Sequence, residues 1–250
     1  MNQMLNVITV CKNDLENLKM TYESLNSQSD QEFSWIVIDS LSSDGTVEYL
    51  SSLDPKFNFN FYSEKDKGIY DGMNKGISKV HEGFIWFLNS GDICIDSSSI
   101  SKIKQSLDIE NELIIFQVLA ASRVRKKLIG SSLSPYNVLS NMPVCHQGMI
   151  YSSRLFKSFG NYSLNYSITA DHYHLLHLIK GRVKIRSVDL PIAVFALDGV
   201  SNKRMLKSTK QLYLGSKKVF GDTWFLPDLI YIWKVIKCFI VMGLKKFNLR

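Results

Sequence analysis

The first ninety residues alternate short apolar runs with segments of helical periodicity. The runs that predict strands lie at residues 5–10, 35–39, 57–61 and 84–88. The segments in which apolar residues recur at helical spacing lie at residues 15–25, 47–53 and 69–80. This order predicts an α/β fold with a mostly parallel, Rossmann-type sheet that is flanked by helices on both faces.

Two of the predicted helices begin with capping signals. Asn13 is followed three residues later by Glu16, which predicts an N-cap for the first helix. Asp44 precedes Gly45 and Thr46 at the start of the second helix, where an aspartate commonly caps the backbone. We therefore expect Asp44 to support the structure whether or not a ligand lies nearby.

Polar segments follow all four predicted strands, at residues 9–13, 39–46, 63–71 and 89–92. Ligands of such sheets bind beyond the carboxyl ends of the strands. Any loop facing solvent needs polar residues, so each segment alone is weak evidence. Four such segments on one edge, three of them with carboxylates, predict a binding site there.

The motifs at these strand ends resemble family 2 glycosyltransferases of the GT-A fold. They read ITVCKND, VIDSLSSDGT, SEKDKGIYDGMNKGI and FLNSGD. The third motif is most similar to its counterpart in enzymes of capsule, O-antigen and colanic-acid-type polysaccharide assembly. CHQGMIYS, TADHYHLLHL and LDGVS extend the resemblance to about residue 201, and the last fifty residues match no such motif.

The resemblance implies a division of labour and a reaction. Residues 1–201 would form the GT-A domain, with a nucleotide-sugar-binding half at 1–95 and an acceptor-binding half at 96–201. The reaction would be an inverting transfer of a sugar from a nucleotide sugar, with UDP favoured, to a hydroxyl of a polyprenyl-diphosphate-linked saccharide. One base candidate and no carboxylate placed as a nucleophile favour a single displacement.

By the same resemblance, Asp39 would hydrogen-bond the donor base. The residues expected to contact the donor are Thr9, Cys11, Asn13, Asp39, Asp66, Asn74, Asn89 and Asp92. Two simpler interpretations stay open. Asp39 could cap the turn that follows it, and Asp71 could form an i, i+4 salt bridge with Lys75 on the third helix.

The NSGD motif stands where family members usually carry an Asp-x-Asp metal motif. Here Asn89 and Gly91 replace two of the usual positions, and Asp92 remains as the expected ligand of a divalent cation, Mg²⁺ or Mn²⁺. One carboxylate suffices for an ion that is held largely by substrate phosphates and water. The alternative is that NSGD is a tight turn, and that the protein binds nucleotide sugars or a partner without catalysing transfer.

Asp171 matches the position of the catalytic base in this family, at the start of a helix that continues to Ile179. An ionised carboxylate can accept the proton of the attacking hydroxyl. His146 and Gln147 would lie on the acceptor side. Asp171 could also cap its helix, and His146 could be a hydrogen-bonded core residue.

Three histidines close to Asp171 do not have the spacing of a zinc site. His174 and His177 share a helical face and His172 does not, and no cysteine or carboxylate is spaced with them. The four cysteines are likewise far apart, which favours a reducing compartment. The first residues lack the pattern of a signal peptide, so we expect a cytoplasmic protein.

Positive charge is concentrated at the end of the chain. The net charge is +7, and residues 201–250 hold eleven lysines and arginines against two aspartates. Such a tail favours an anionic partner. Basic residues are not interleaved with aromatic residues in an RNA-binding motif, so we expect a membrane surface on the cytoplasmic side and no nucleic acid.

Residues 202–250 predict a basic, amphipathic helical extension. Lys203, Lys207, Lys210 and Lys217 would form one basic stripe. Residues 226–249 are long enough to span a bilayer, but Lys234 and Lys237 near their centre favour a helix that lies in the membrane interface. The alternative is a helix that packs on the body of the protein or on a second copy in a homodimer.

Overall fold

The computed structural model contains one nine-stranded mixed sheet between two layers of helices. It describes residues 4–108, 110–122, 126–133, 138–139, 141–196, 205–221, 228–229, 231–234 and 236.

The first half of the sheet is parallel, as the sequence pattern predicts. Its strands are β1 (Leu5–Cys11), β2 (Ser34–Asp39), β3 (Asn58–Ser63) and β4 (Phe84–Phe87). They pair in the order β3-β2-β1-β4. The registers place Cys11 opposite Asp39 and Asp39 opposite Ser63, so three carboxyl ends lie side by side.

The second half of the sheet is mixed. Its strands are β5 (Ile93–Cys94), β6 (Leu113–Ala121), β7 (Lys126–Ile129), β8 (Met149–Ser152) and β9 (Ile185–Ala196). The order continues β4-β8-β6-β9-β5, with β7 paired to β6. β8 runs antiparallel to both β4 and β6, and it therefore joins the parallel half to the rest.

Helices cover both faces of the sheet. They are α1 (Leu15–Asn26), α2 (Thr46–Ser51), α3 (Ile69–Ser78), α4 (Ser99–Ser106), α5 (Ser153–Phe159), α6 (Ala170–Lys180) and α7 (Met205–Phe220). Apolar residues of α1, α2 and α4 form one core cluster with the sheet. Apolar residues of α3, α5 and α6 form the cluster on the other face.

The predicted cap of α1 by Asn13 is wrong. Asn13 has a φ of +47°, and its side-chain oxygen accepts a hydrogen bond from Ser43 N at 2.8 Å instead. Asp44 instead satisfies the first backbone N–H of α1, because its Oδ2 accepts a hydrogen bond from Leu15 N at 3.0 Å. Asp44 Oδ1 accepts from the Thr46 hydroxyl at 2.6 Å, so Asp44 has the expected structural role and also ties the two loops together.

Helix α3 lies unusually close to β1, because two of its residues that face the strand are glycines. A Cβ added at Gly76 would lie 2.5 Å from Ile8 Cγ2, and one at Gly72 would lie 3.1 Å from Val10 Cγ1. Ile69, the first residue of the predicted third helix, does not face the core, since its side chain is 46 % exposed. The next residue, Tyr70, is buried in its place.

Helix α7 packs on the body of the protein. It lies against α6, where Lys180 Nζ donates to Val219 O at 2.6 Å, and the Ser216 hydroxyl donates to Leu139 O at 2.7 Å. Lys217 forms an ion pair with Asp228 at 3.0 Å. Only part of the expected basic stripe is therefore exposed on this helix, while Lys203 lies outside the described residues.

Within the part of the chain that the structure describes, none of the helices combines the length and apolar character that crossing a bilayer requires.

The close approach of α3 to β1 predicts the effect of adding one methyl group. Gly76→Ala should lower the free energy of unfolding by about 1 kcal/mol or more, because overpacking costs about 1–3 kcal/mol against a gain in helix propensity of roughly 1 kcal/mol. Gly130→Ala is the matched control, since no atom lies within 4 Å of its added Cβ. Urea denaturation measures both variants, and equal stabilities would contradict the close packing of α3.

Candidate active site

Asp39 occupies the carboxyl end of β2 and is fully buried. Its Oδ2 accepts hydrogen bonds from the Ser63 hydroxyl at 2.6 Å and from Ser42 N at 3.0 Å. Its Oδ1 receives the thiol of Cys11 at 3.7 Å, a weak donor. None of the ion pairs between described residues includes Asp39. Oδ1 of Asp39 is therefore paired only with a weak thiol donor, and an N–H group would bind it more strongly.

Cys11 lies on β1 opposite Asp39, as expected for two residues of one pocket. Burial raises the pKa of its thiol far above the usual range, and the negative charge of Asp39 raises it further. The thiol is therefore protonated at neutral pH and acts as a hydrogen-bond donor.

Thr9 and Asn13 are engaged by the protein itself. The Thr9 hydroxyl donates to Leu88 O at 2.6 Å and accepts from Trp35 Nε1 at 2.8 Å, and the residue is fully buried. Asn13 holds the loop that follows β2. Both side chains thus stabilise the ends of the strands through contacts within the protein.

The loop before α3 is organised by Asp66. Its Oδ1 accepts from Gly68 N at 2.9 Å, and its Oδ2 lies 3.3 Å from the position of a Cβ at Gly72. The half-buried carboxylate therefore lies over the first turn of α3. It stays a candidate for donor contact at this edge of the sheet.

Asn74 does not face the strand ends. Its Nδ2 donates to Tyr162 O at 2.9 Å and its Oδ1 accepts from Tyr162 N at 2.9 Å. This reciprocal pair binds α3 to the segment that precedes α6. The side chain thus connects the two halves of the protein.

The considered salt bridge between Asp71 and Lys75 is not formed. Lys75 pairs with Glu64 at 3.1 Å, and Asp71 Oδ2 accepts from Lys67 N at 2.9 Å. Both side chains point back toward the loop because the chain enters α3 there.

The NSGD motif is a tight turn that also directs a carboxylate inward. Asp92 N donates to Asn89 O at 2.9 Å, and Gly91 has a φ of +87°. Thr21 of α1 fixes this turn, because its hydroxyl accepts from Gly91 N at 3.0 Å and donates to Asp92 O at 2.9 Å. The motif is thus a turn and a candidate site at once.

Asp92 is 7 % exposed and has no ion-pair partner among the described residues. Its Oδ2 accepts from Asn89 N at 3.2 Å and from Gln147 Nε2 at 3.1 Å. Burial raises the pKa of Asp92 to about 7, although both hydrogen bonds act in the opposite direction. A cation beside this carboxylate would offset the cost of its burial.

His146 and Gln147 form a short 3₁₀ helix with Gly148, directly before β8. The His146 ring stacks on Phe87, with 5.4 Å between ring centroids, and its Nε2 lies 3.4 Å from Asn89 Nδ2. Burial lowers the pKa of His146, so the ring is neutral at neutral pH. Gln147 binds Asp92 directly, so these two predicted residues join the strand-end site.

Asp171 is the second residue of α6 and is half-buried. Its Oδ1 accepts from His172 N at 2.9 Å and lies 2.8 Å from the hydroxyl of Tyr70. The pKa of the Cys145 thiol is raised to about 12, first by burial and then by the charges of Asp92 and Asp171. Both carboxylates therefore lie close to the segment that carries His146.

The three histidines of α6 point in different directions. His172 Nε2 contacts Val138 O, His174 stacks on Phe156 with 5.0 Å between ring centroids, and His177 meets the edge of Tyr173. Burial lowers the pKa of His174 to about 4. The rings of His172 and His174 are buried in the protein core.

The oxygens near the NSGD turn fit a hard divalent cation. Asn89 Oδ1 is buried and has no hydrogen-bond partner among the described residues, and it belongs to the same turn as the Asp92 carboxylate. Amide and carboxylate oxygens are the ligands that Mg²⁺ and Mn²⁺ prefer. Among the described residues no cluster of three histidines, cysteines or carboxylates could hold an ion, so a bound ion would need ligands from a substrate.

The fold is shared with proteins of known structure, one of which is a mannosyltransferase. S. aureus TarS (residues 1–349, in complex with UDP-GlcNAc) superposes with a TM-score of 0.65 at 15 % identity, over 93 % of this chain and 71 % of that chain. The mannosyltransferase PcManGT of Pyrobaculum calidifontis, in complex with GDP-Man and Mn²⁺, gives a TM-score of 0.66 at 15 % identity, over 91 % and 68 %.

Sequence comparison identifies the family. An uncharacterized glycosyltransferase of Mycobacterium tuberculosis is 32 % identical over 90 % of this chain and 83 % of its own length. A PGL/p-HBAD biosynthesis glycosyltransferase of Mycobacterium bovis is 23 % identical over 67 % of this chain and 66 % of its own. The family model described as glycosyl transferase family 2 matches residues 6–175. The chain therefore belongs to glycosyl transferase family 2 and is a glycosyltransferase.

Proposed function

We propose that this enzyme transfers a sugar from a nucleoside diphosphate donor, preferably a UDP-sugar, to a hydroxyl of a lipid-linked saccharide, with inversion at the anomeric carbon. The observation that carries the proposal is that two carboxylates are each held by a side chain from the other half of the protein: Asp92, after β4, accepts from Gln147, and Asp171, at the start of α6, is in contact with Tyr70. One carboxylate belongs to the half expected to bind the donor, and the other belongs to the half expected to bind the acceptor.

On the donor side, Asp39 would accept a hydrogen bond from an N–H of the base. Its Oδ1 has a thiol as its partner, and a ring N–H would replace that weak donor with a stronger one. Asp66 would lie near the diphosphate side of the donor. The solved neighbours described above bind UDP-GlcNAc and GDP-Man, which supports a nucleotide sugar as the donor.

Asp92 and Asn89 would hold a divalent cation through their side-chain oxygens. A bound Mg²⁺ or Mn²⁺ neutralises charge on the leaving diphosphate. Gln147 keeps the Asp92 carboxylate oriented, because its amide donates to Oδ2. The Mn²⁺ in the PcManGT complex supports such an ion in this fold.

Asp171 would accept the proton of the acceptor hydroxyl. The hydroxyl oxygen forms a bond to the anomeric carbon, the bond from that carbon to the diphosphate oxygen breaks, and the proton moves to the carboxylate. The diphosphate leaves with the bonding electron pair, so one displacement inverts the configuration. His146 is neutral and would position the acceptor by hydrogen bonding.

We further propose that the described helical residues of the segment 228–236 bind a membrane surface. Residues 228–229, 231–234 and 236 are helical. Asp228 and Tyr231 face the body, where they contact Lys217 and Tyr213. Exposed apolar residues at helical spacing form a neighbouring face of this segment, namely Leu229, Ile232 and Ile236.

The charge near this apolar face supports a lipid surface as its partner. Lys207, Lys210 and Lys218 of α7 are exposed. Basic side chains close to an anionic leaflet each contribute about 1 kcal/mol, and the buried apolar side chains add a term that salt does not screen. A lipid-linked acceptor would then lie at the surface where the enzyme works.

The assignment of the base predicts a separation of binding from chemistry. Asp171→Asn should keep the affinity for the donor within about twofold and lower kcat by roughly 10²–10⁴-fold, because the amide cannot accept the proton. The measurement is nucleotide release and product formation over a panel of UDP-, GDP- and dTDP-sugars. Asp54→Asn, at an exposed position, is the control. Unchanged turnover would remove Asp171 from the mechanism, and no transfer by the unaltered protein would favour a binding protein.

The assignment of the cation site predicts a loss that depends on the metal. Asp92→Asn should keep the bonds from Asn89 N and Gln147, yet lower donor affinity in Mn²⁺ by tenfold or more, because its side chain has no negative charge for the ion. In EDTA the two proteins should bind donor equally weakly. Isothermal titration measures both conditions. Full activity of the unaltered enzyme in excess EDTA would contradict the site.

The membrane surface is tested without removing the helix. Replacing Leu229, Ile232 and Ile236 together by serine should reduce sedimentation with anionic vesicles by tenfold or more, because apolar burial is lost while Asp228 and Tyr231 keep their contacts. Replacing Leu128 and Leu164, which are exposed to similar degrees, is the control. Unaltered sedimentation would contradict the membrane role of this face, and concentration-dependent dimers that the triple replacement abolishes would assign it to protein contacts.

A further inference from the structure

Tyr70 is the side chain of the donor half that reaches Asp171. It is the second residue of α3 and is 8 % exposed. Its hydroxyl oxygen lies 2.8 Å from Asp171 Oδ1 and 2.9 Å from Ile168 O. A phenol has one proton to donate, so two acceptors compete for it.

We propose that Tyr70 is a positioning residue for the general base, and that its hydroxyl holds Asp171 Oδ1 so that Oδ2 faces the acceptor. This inference rests on the proposed role of Asp171 as the base. It assigns to the IYD portion of the third motif a task in the acceptor half, which the sequence pattern did not indicate.

The hydrogen bonds of Asp171 are distributed unevenly between its two oxygens. Oδ1 accepts from His172 N and is in contact with Tyr70. None of the hydrogen bonds described above ends on Oδ2. A carboxylate with one oxygen held and the other available has the geometry that a general base requires.

The two acceptors of Tyr70 fit the two protonation states of the base. While Asp171 is ionised, Oδ1 is the stronger acceptor and takes the phenol proton. When Oδ2 receives the proton of the attacking hydroxyl, the carboxyl group becomes neutral and Oδ1 accepts more weakly. The phenol can then donate to Ile168 O, so this buried hydroxyl keeps a partner throughout the reaction.

The position of Tyr70 is fixed from both halves of the protein. Its ring packs against Tyr162 with 5.4 Å between centroids, and Asn74, one turn further along α3, holds the backbone of Tyr162. Gly72 and Gly76 bring the helix close to β1. The hydroxyl therefore reaches Asp171 from a helix whose place is set by the sheet.

The titratable groups that interact with the charge of Asp171 come from several elements. They are Tyr70 of α3, Cys145 and His146 before β8, Tyr151 of β8, Tyr162, and His172 of α6. Burial keeps the phenols and the thiol protonated and both histidines neutral near pH 7. Tyr70 is thus the phenol among them that donates directly to the carboxylate.

The test is Tyr70→Phe in the full-length enzyme. The phenol hydrogen bond stabilises the ionised carboxylate, which is the form that accepts the proton, and Tyr70→Phe removes that stabilisation. The acid limb of the kcat profile should move to higher pH by about one unit, and kcat on the plateau should fall about tenfold, with little change in donor KM. Tyr49→Phe is the control, because this phenol lies on α2, whose apolar residues pack on the other face of the sheet.

A second background separates this inference from the proposed function. When Tyr70→Phe is added to Asp171→Asn, the residual rate should not fall further. If Tyr70→Phe lowers kcat equally in the unaltered enzyme and in Asp171→Asn, the positioning role is overturned. A pH profile and kcat like those of the unaltered enzyme would also overturn it. If Asp171→Asn itself is fully active, the proposed base fails. If that variant is inactive while Tyr70→Phe is unaltered, only the positioning role fails.

A third variant covers loss of folding. If Tyr70→Phe lowers the Tm, 3-fluorotyrosine can be placed at position 70 instead. This residue keeps the hydroxyl group, which then donates a stronger hydrogen bond. The acid limb should then move to lower pH, and an unmoved limb would overturn the proposal.

Discussion

The close contact between α3 and β1 is the constraint on which the site depends. A Cβ at Gly76 would collide with Ile8 and one at Gly72 would crowd Val10, so the absence of a side chain at these positions lets the helix lie this near the sheet. From that position Tyr70 and Asn74 reach across to residues 162–171 of the other half. The same helix therefore adjoins the strand ends at its start and fixes the proposed base.

Two buried carboxylates that form no ion pair with any described residue are the second feature of the site. Asp39 and Asp92 are taken out of water, and hydrogen bonds from Ser42, Ser63 and Gln147 satisfy part of their acceptor capacity. Burial of a charge in this way costs free energy that packing elsewhere must offset. A base N–H at Asp39 and a cation at Asp92 would recover part of this cost when the donor binds.

The parallel half of the fold could be predicted from the sequence because the spacing of neighbouring apolar residues indicates its strands and helices. The strands from Leu5, Ser34 and Phe84 and the helix that carries Asp171 lie where the apolar pattern indicates. The mixed half could not be predicted in this way. The antiparallel insertion of β8 between β4 and β6 depends on contacts between residues far apart in the chain.

The same distinction applies to the site. Strand-end positions such as Asp39 and Asp92 follow from topology and motif. Contacts that cross the molecule, such as Asn74 with Tyr162 and Thr21 with the NSGD turn, leave no local pattern. One signal was present for Tyr70: helical spacing places it with Met73 and Ile77, and this stripe fits the core better than one that begins at Ile69.

The most direct test of the account is the configuration of the first product. Nuclear magnetic resonance of the glycoside formed early in the reaction reports the anomeric configuration before any equilibration. A single displacement with Asp171 as the base predicts a configuration opposite to that of the donor sugar. A product that retains the donor's configuration would contradict this mechanism and the role given to Asp171.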